Sequence, residues 1–165
     1  MRQVIAAVLL ILAGGMAGAA APAGRPELNS CEGGTCSWSI TQSRAIVRQD
    51  ASGILYRLSL LGGSAREGSR RISWNRAPHA LFIFCSPRLP AVILPDAGRL
   101  QVDILDFVEG PPPVLASSAA LYVRTCHPGE DWDSDGFAAR HGYRTQDADR
   151  DIALTRPEDI FRYAR

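Results

Sequence analysis

The chain has no lysine. All 18 of its basic residues are arginine. Without a lysine amine there is no Schiff base, no P-loop lysine and no Ser-Lys catalytic pair, so nothing signals ATP-dependent phosphoryl transfer. Histidine is scarce too: His79, His127 and His141 are the only three. None stands in an H-x-H or H-E-x-x-H spacing, so no zinc hydrolase is signalled. There is no G-x-S-x-G, which removes Ser64 as a nucleophile elbow. Charge of one sign is also missing. Eighteen basic residues face 17 acidic ones, a balance that offers nothing to nucleic acid or to an anionic membrane. Beyond the N-terminal segment, which through about Ala21 has an uncleaved anchor as its competing reading, no apolar stretch is long enough to span a bilayer.

What is present begins with an export signal. Arg2 precedes an apolar core from Val4 to Ala13, and Ala17-Gly18-Ala19 and Ala19-Ala20-Ala21 are both A-x-A cleavage sites. Residues 1–21 therefore read as a signal peptide, 22–30 as a flexible polar leader and 31–165 as one globular domain. No membrane span is left after cleavage, which points to a periplasmic or secreted bacterial protein. In an oxidising compartment the even set Cys31, Cys36, Cys85 and Cys126 makes two disulfides. Of three pairings, the favoured one closes Cys31–Cys36 around Glu32-Gly33-Gly34-Thr35 and joins Cys85 to Cys126 across two core strands. Paired cysteines cannot serve as nucleophiles, so His127 beside Cys126 makes no catalytic dyad.

Ala80 to Cys85 is apolar without a break, bounded by Pro78 and by Ser86-Pro87. Such a run reads as a strand buried on both faces, around which the fold is organised. Cys36, Trp38 and Ile40 alternate with polar residues, as do Ile54, Tyr56, Leu58 and Leu60. These are two half-buried strands, forming a hairpin across Gln49–Gly53. Gly62 to Arg70 reads as a loop and Arg71–Trp74 as a short strand. Leu100–Ile104 is a strand that slips register at Leu105. A helix there is the competing reading. Val114–Ala119 is one helical turn at most, and Leu121–Cys126 is the last strand. Gly136–Tyr143 is a short helix, and Thr155-Arg156-Pro157-Glu158 has capping-box spacing for a terminal one with Ile160 and Phe161 inward. The fold class is mainly β, a small antiparallel sheet or sandwich with short C-terminal helices, with α+β as the alternative.

The sharpest local motif is Asp131-Trp132-Asp133-Ser134-Asp135-Gly136-Phe137. Over about seven residues it resembles the first half of an EF-hand calcium loop. Alternate aspartates aim three carboxylates at one centre, glycine permits the sharp turn, and the Phe137 carbonyl adds an oxygen. The resemblance stops at the twelfth position, Gly142, where an EF-hand needs a bidentate glutamate, so the EF-hand fold is not implied. Glu130, Asp147, Asp149 or Asp151 would have to complete a Ca²⁺ site built on Asp131, Asp133, Asp135 and Phe137. Without metal the segment is a solvated acidic loop before a helix. The carboxylate pairs Asp103/Asp106 and Asp106/Glu109 have glycosidase chemistry, but on an alternating strand they read as a solvated face. Trp38 reads as core, and Arg70, Arg71 and Arg76 as a solvated basic loop.

The expected function is a non-catalytic binding or interaction module of the bacterial envelope, carrying a structural calcium loop and meeting an envelope or extracellular partner. The alternatives are a hydrolase of envelope or extracellular polymers and a secreted effector or enzyme inhibitor.

Overall fold

The computed structural model describes residues 24–147 and 150–165. The expected signal peptide lies outside them, as does Asp149. Seven strands form one antiparallel sheet: β1 (Glu27–Glu32), β2 (Thr35–Asp50), β3 (Gly53–Arg66), β4 (Ser73–Trp74), β5 (His79–Cys85), β6 (Ala91–Asp96) and β7 (Arg99–Ile104). Their order is β1-β2-β3-β5-β6-β7, with β4 also on β3. Helices α1 (Ala116–Cys126) and α2 (Phe137–His141) follow, with 3₁₀ segments at Pro113–Leu115 and Pro157–Arg162. No helix among the described residues is long and apolar enough to cross a membrane.

The architecture is mainly β, and the sheet is covered by helical segments rather than by a second sheet. Side chains alternate across a strand, so one apolar strand can supply two cores. β5 does this. Leu81 and Ile83 join Leu58, Leu60, Val92, Phe107, Tyr122 and Val123 on one face. Phe84 joins Leu55, Ala91, Ile93, Ile160 and Phe161 on the other. The unbroken run therefore is the doubly buried strand its composition implies, with α1 and α2 over one face and the C-terminal 3₁₀ segment over the other.

The long hairpin β2–β3 turns between Asp50 and Gly53, as expected. β1–β2 turns on Gly33 (φ 55°) and Gly34 (φ 75°), where two successive positive φ values demand glycine. Cys31 and Cys36 face each other across that turn. Both disulfides, Cys31–Cys36 and Cys85–Cys126, are formed, and no described cysteine is free.

Five expectations are corrected. The polar stretch read as a flexible leader over 22–30 pairs into the sheet from Glu27 onward. Its anchors are Asn29, which accepts from Ser39, and Arg124 of α1, which donates to the Leu28 carbonyl and pairs with Glu27 at 3.0 Å. Leu121–Cys126 is helical, not a strand, so Cys85–Cys126 ties a strand to a helix. Its β-branched and aromatic residues favour a strand locally. Ala119, Tyr122 and Val123 instead bury one helical stripe, and the small residues Ala116–Ala120 start the helix. Asp103 and Asp106 are buried rather than solvated. Asp103 accepts from Ser118 Oγ (2.6 Å) and Gln101, and Asp106 accepts the backbone N–H groups of Val108, Glu109 and Gln146. β3 also continues to Arg66, shortening the expected loop. The terminal cap falls one residue later than its spacing implied, with the Asp159 carboxylate accepting the Arg156 N–H at 3.0 Å.

Candidate functional site

Where α1 ends, the chain turns sharply. His127 caps the helix, its N–H bonded to the Val123 carbonyl, and Pro128-Gly129 follows. The Glu130 N–H donates to the His127 carbonyl at 3.1 Å, which folds Glu130 back beneath the helix end. His141 arrives from the last turn of α2, which stops at Gly142 in the left-handed region (φ 69°), a conformation a side chain would strain. Tyr143 follows at once and inserts under α1. Two short structures thus deliver His127, Glu130 and His141 to one place. One ligand-type atom from each lies within 4.8 Å of the other two. His141 Nε2 is 3.0 Å from Glu130 Oε2, and Arg140 approaches the same carboxylate oxygen at 3.5 Å. The two imidazole rings stand with centroids 3.8 Å apart, tilted by 40°.

Beneath the histidines runs a buried hydroxyl chain. Tyr143 donates to the Tyr122 hydroxyl at 3.0 Å, and Tyr122 accepts from the Ser86 N–H at 3.2 Å. With its one proton committed to Tyr122, the Tyr143 oxygen accepts from His127 Nε2, 2.6 Å away. This chain of donors calls for the Nε2–H tautomer of His127, in which the ring's lone pair is on Nδ1. Burial lowers the pKa of His127, and neighbouring His141 lowers it further against the opposing pull of Glu130. The hydrogen bond from His141 holds the Glu130 carboxyl below its usual range. Burial pushes Tyr143 up to about 12 and Tyr122 well above the ordinary phenol value. Phe107 and Phe137 wall the cluster. A cavity of about 120 Å³ opens between the Cys85–Cys126 disulfide, Tyr122, His127, His141 and Tyr143.

The residues expected to hold calcium lie beside this cluster, not in it. Asp131, Asp133 and Asp135 are exposed on the loop before α2, and the Phe137 ring is in the core. The Asp131 carbonyl accepts from Ser134, and the Asp135 carbonyl from Arg140, contacts that shape the turn itself. Glu130, one residue expected to complete that site, faces His141 and Arg140 instead. Among the described residues, His127, Glu130 and His141 form the one metal-capable group. Read from the sequence, each of these residues stands singly and never together with the others. The overlooked signal was Arg140-His141 followed by glycine, a basic helix end placed within reach of Glu130. His79 sits exposed at the start of β5, while Arg70, Arg71 and Arg76 are exposed as expected.

A second region stands open. β1 pairs with β2 through Ser39 only. Beyond that, Thr41–Asp50 has β3 on one side and no strand on the other among the described residues, and all ten positions are exposed. Ile46 (57% exposed) and Val47 (36%) present apolar surface there. Arg44 lies over the Tyr56 ring and Arg48 over Phe161. Bulges at Gln42 and Val47 bracket a regular stretch of four residues, Ser43–Ile46.

Compared with known proteins, the chain matches no family model, no curated protein and no solved structure.

Proposed function

We propose that the chain is an exported, non-catalytic interaction module of the bacterial envelope, working in the periplasm or outside the cell, and that its partner adds an extended segment to the free edge of β2. One observation carries the reading: ten consecutive strand residues, Thr41–Asp50, are exposed on an edge whose backbone, among the described residues, is paired on one side only. An unpaired edge offers its N–H and C=O groups to any extended chain, and the side chains beside it select which one. Ser43–Ile46 is the stretch in regular register. Ile46 would meet an apolar residue of the partner and Arg44 an acidic one. Two disulfides fit a protein that works where thiols oxidise. The hydrolase alternative has less support. Its carboxylates Asp103 and Asp106 are spent on internal hydrogen bonds.

The test is made in cells with the full chain, carrying a photo-crosslinking residue at position 46 or, as a control, at exposed position 114. The expected result is an oxidised protein outside the cytoplasm, with adducts to another protein at 46 and none at 114. Retention in the cytoplasm with reduced cysteines overturns the reading. So does equal labelling at both positions, or adducts only to a second copy of the chain.

A further inference from the structure

We propose that His127, Glu130 and His141 form a binding site for a divalent transition-metal ion of the zinc type, with solvent in the fourth position. This goes beyond the partner-binding reading and does not depend on it.

The donor set decides the ion. Two imidazoles and one carboxylate suit zinc and its borderline neighbours, whereas calcium requires six to eight oxygens. Spacing agrees with that choice. Ligands about 2.0–2.2 Å from a tetrahedral zinc stand about 3.3 Å from one another. Glu130 Oε2 and His141 Nε2 are already 3.0 Å apart, and the third donor lies within 4.8 Å of both. The adjustment needed is a splay of the two rings, because imidazoles coordinate through lone pairs in their planes. His141 is the one of the two that Tyr143 does not hold through a hydrogen bond, and it lines the adjoining cavity, so the splay falls to its ring.

An independent feature is the support behind His127. A metal-binding histidine donates its other N–H to an outer partner, which fixes ring and tautomer. Tyr143 fills that role through Nε2 at 2.6 Å, and it is held in turn by Tyr122 and Ser86. The ring is thus oriented, with Nε2 engaged by Tyr143 and Nδ1 as the nitrogen left for an ion. Arg140 opposes binding through its contact with Glu130. It has Ser134 and the Asp135 carbonyl as further partners, so it can release the carboxylate without being stranded. The adjoining cavity has room for water on the open side.

The experiment uses the disulfide-intact exported chain, freed of metal with a chelator. Zn²⁺ alone is titrated by calorimetry, and Tm is measured with and without it. The expected result is one ion per chain and a Tm raised by several degrees, as for any ligand held by the folded state only. His141→Gln should weaken binding at least about tenfold, since losing even an outer-shell partner has that effect. Glu130→Gln is the second variant. The Glu130 side chain is 36% exposed, more than that of His141, so it keeps the test alive if His141→Gln folds poorly. Asp133→Asn should leave zinc binding unchanged. Absence of a saturable heat overturns the proposal, and so does zinc binding that both ligand variants leave intact. A Tm that responds to Ca²⁺ but not to Zn²⁺ also overturns it, moving the site to the oxygen-only loop at Asp131.

Discussion

The end of α1 and the outer half of β2 are built in opposite ways. At the first, a helix, a strand and a turn converge, and each polar group of Ser86, Tyr122, Tyr143 and His127 that faces another is hydrogen-bonded. A disulfide then fastens the strand to the helix. At the second, a strand of the same sheet runs on for ten exposed residues, supported from one side among the described residues. Buried polar networks are costly unless complete, so the first region admits few changes. The exposed strand has little to lose, so its residues are free to be chosen for something other than folding. A β-sheet protein with one closed and one open region has its stability in one place and its available surface in another.

The largest test of that contrast removes cross-links. Cys85–Cys126 spans 41 residues in sequence and Cys31–Cys36 only five. Loop-closure entropy then gives about 4 kcal/mol for the long link and about 2 kcal/mol for the short one. Urea denaturation of Cys85→Ala/Cys126→Ala and of Cys31→Ala/Cys36→Ala measures both. Equal losses would mean that the helix–strand junction holds itself together without its bond.

Next comes the hydroxyl chain. Tyr122→Phe keeps the ring against Phe107 but leaves the Ser86 N–H and the Tyr143 hydroxyl without their partner. A buried donor left unsatisfied costs about 1–3 kcal/mol, and urea midpoints should fall accordingly. A neutral result would mean that solvent enters from the adjoining cavity and replaces the oxygen.

How much of this contrast is legible in the sequence depends on the range of the interaction. The hairpin β2–β3 is local. Its alternation of Trp38 and Ile40 with serine and threonine, and the turn at Asp50–Gly53, lie within one continuous stretch. β5 is legible because burial on both faces removes every polar residue from Ala80–Cys85. The disulfide pairing follows from spacing and expected export. α1 is not legible, since Tyr122, Val123 and Thr125 favour a strand and only contact with the sheet makes them helical. Asp103 and Asp106 mislead for a similar reason. Their partners Ser118 and Gln146 lie 15 and 40 residues away. The metal-capable cluster is the extreme case. His127 and His141 are 14 residues apart, in no known motif, and meet because Tyr143 drops beneath α1 and Gly142 lets the chain turn into it.

Alkali should act on the closed region alone. Tyr143 titrates at about 12 when folded, against 10.0 for a free phenol, because its ring is buried. The folded chain therefore keeps a proton that the unfolded chain has released between those values. Stability from this group is complete below pH 10 and declines as pH rises toward 12. Denaturation midpoints across that window should fall in the wild type and fall less steeply in Tyr143→Phe. Parallel curves would mean that the phenol is reached by solvent in the native state.

The smallest expected effect is on the open strand. Ile46→Lys changes a side chain that is 57% exposed and is not part of either core cluster. Surface changes of this kind stay within about 0.5 kcal/mol. The same substitution places a second cation beside Arg44 and removes the apolar contact offered to a partner strand. Stability and partner binding should therefore separate: an unchanged urea midpoint, with crosslinking from neighbouring position 45 abolished. A loss above about 1 kcal/mol would mean that Ile46 already contributes to the folded core, and the strand would not be an open edge. Were the midpoint and the crosslink both unchanged, the edge would be bare without being used. Its bulges at Gln42 and Val47 would then be protection against pairing rather than the borders of a docking segment.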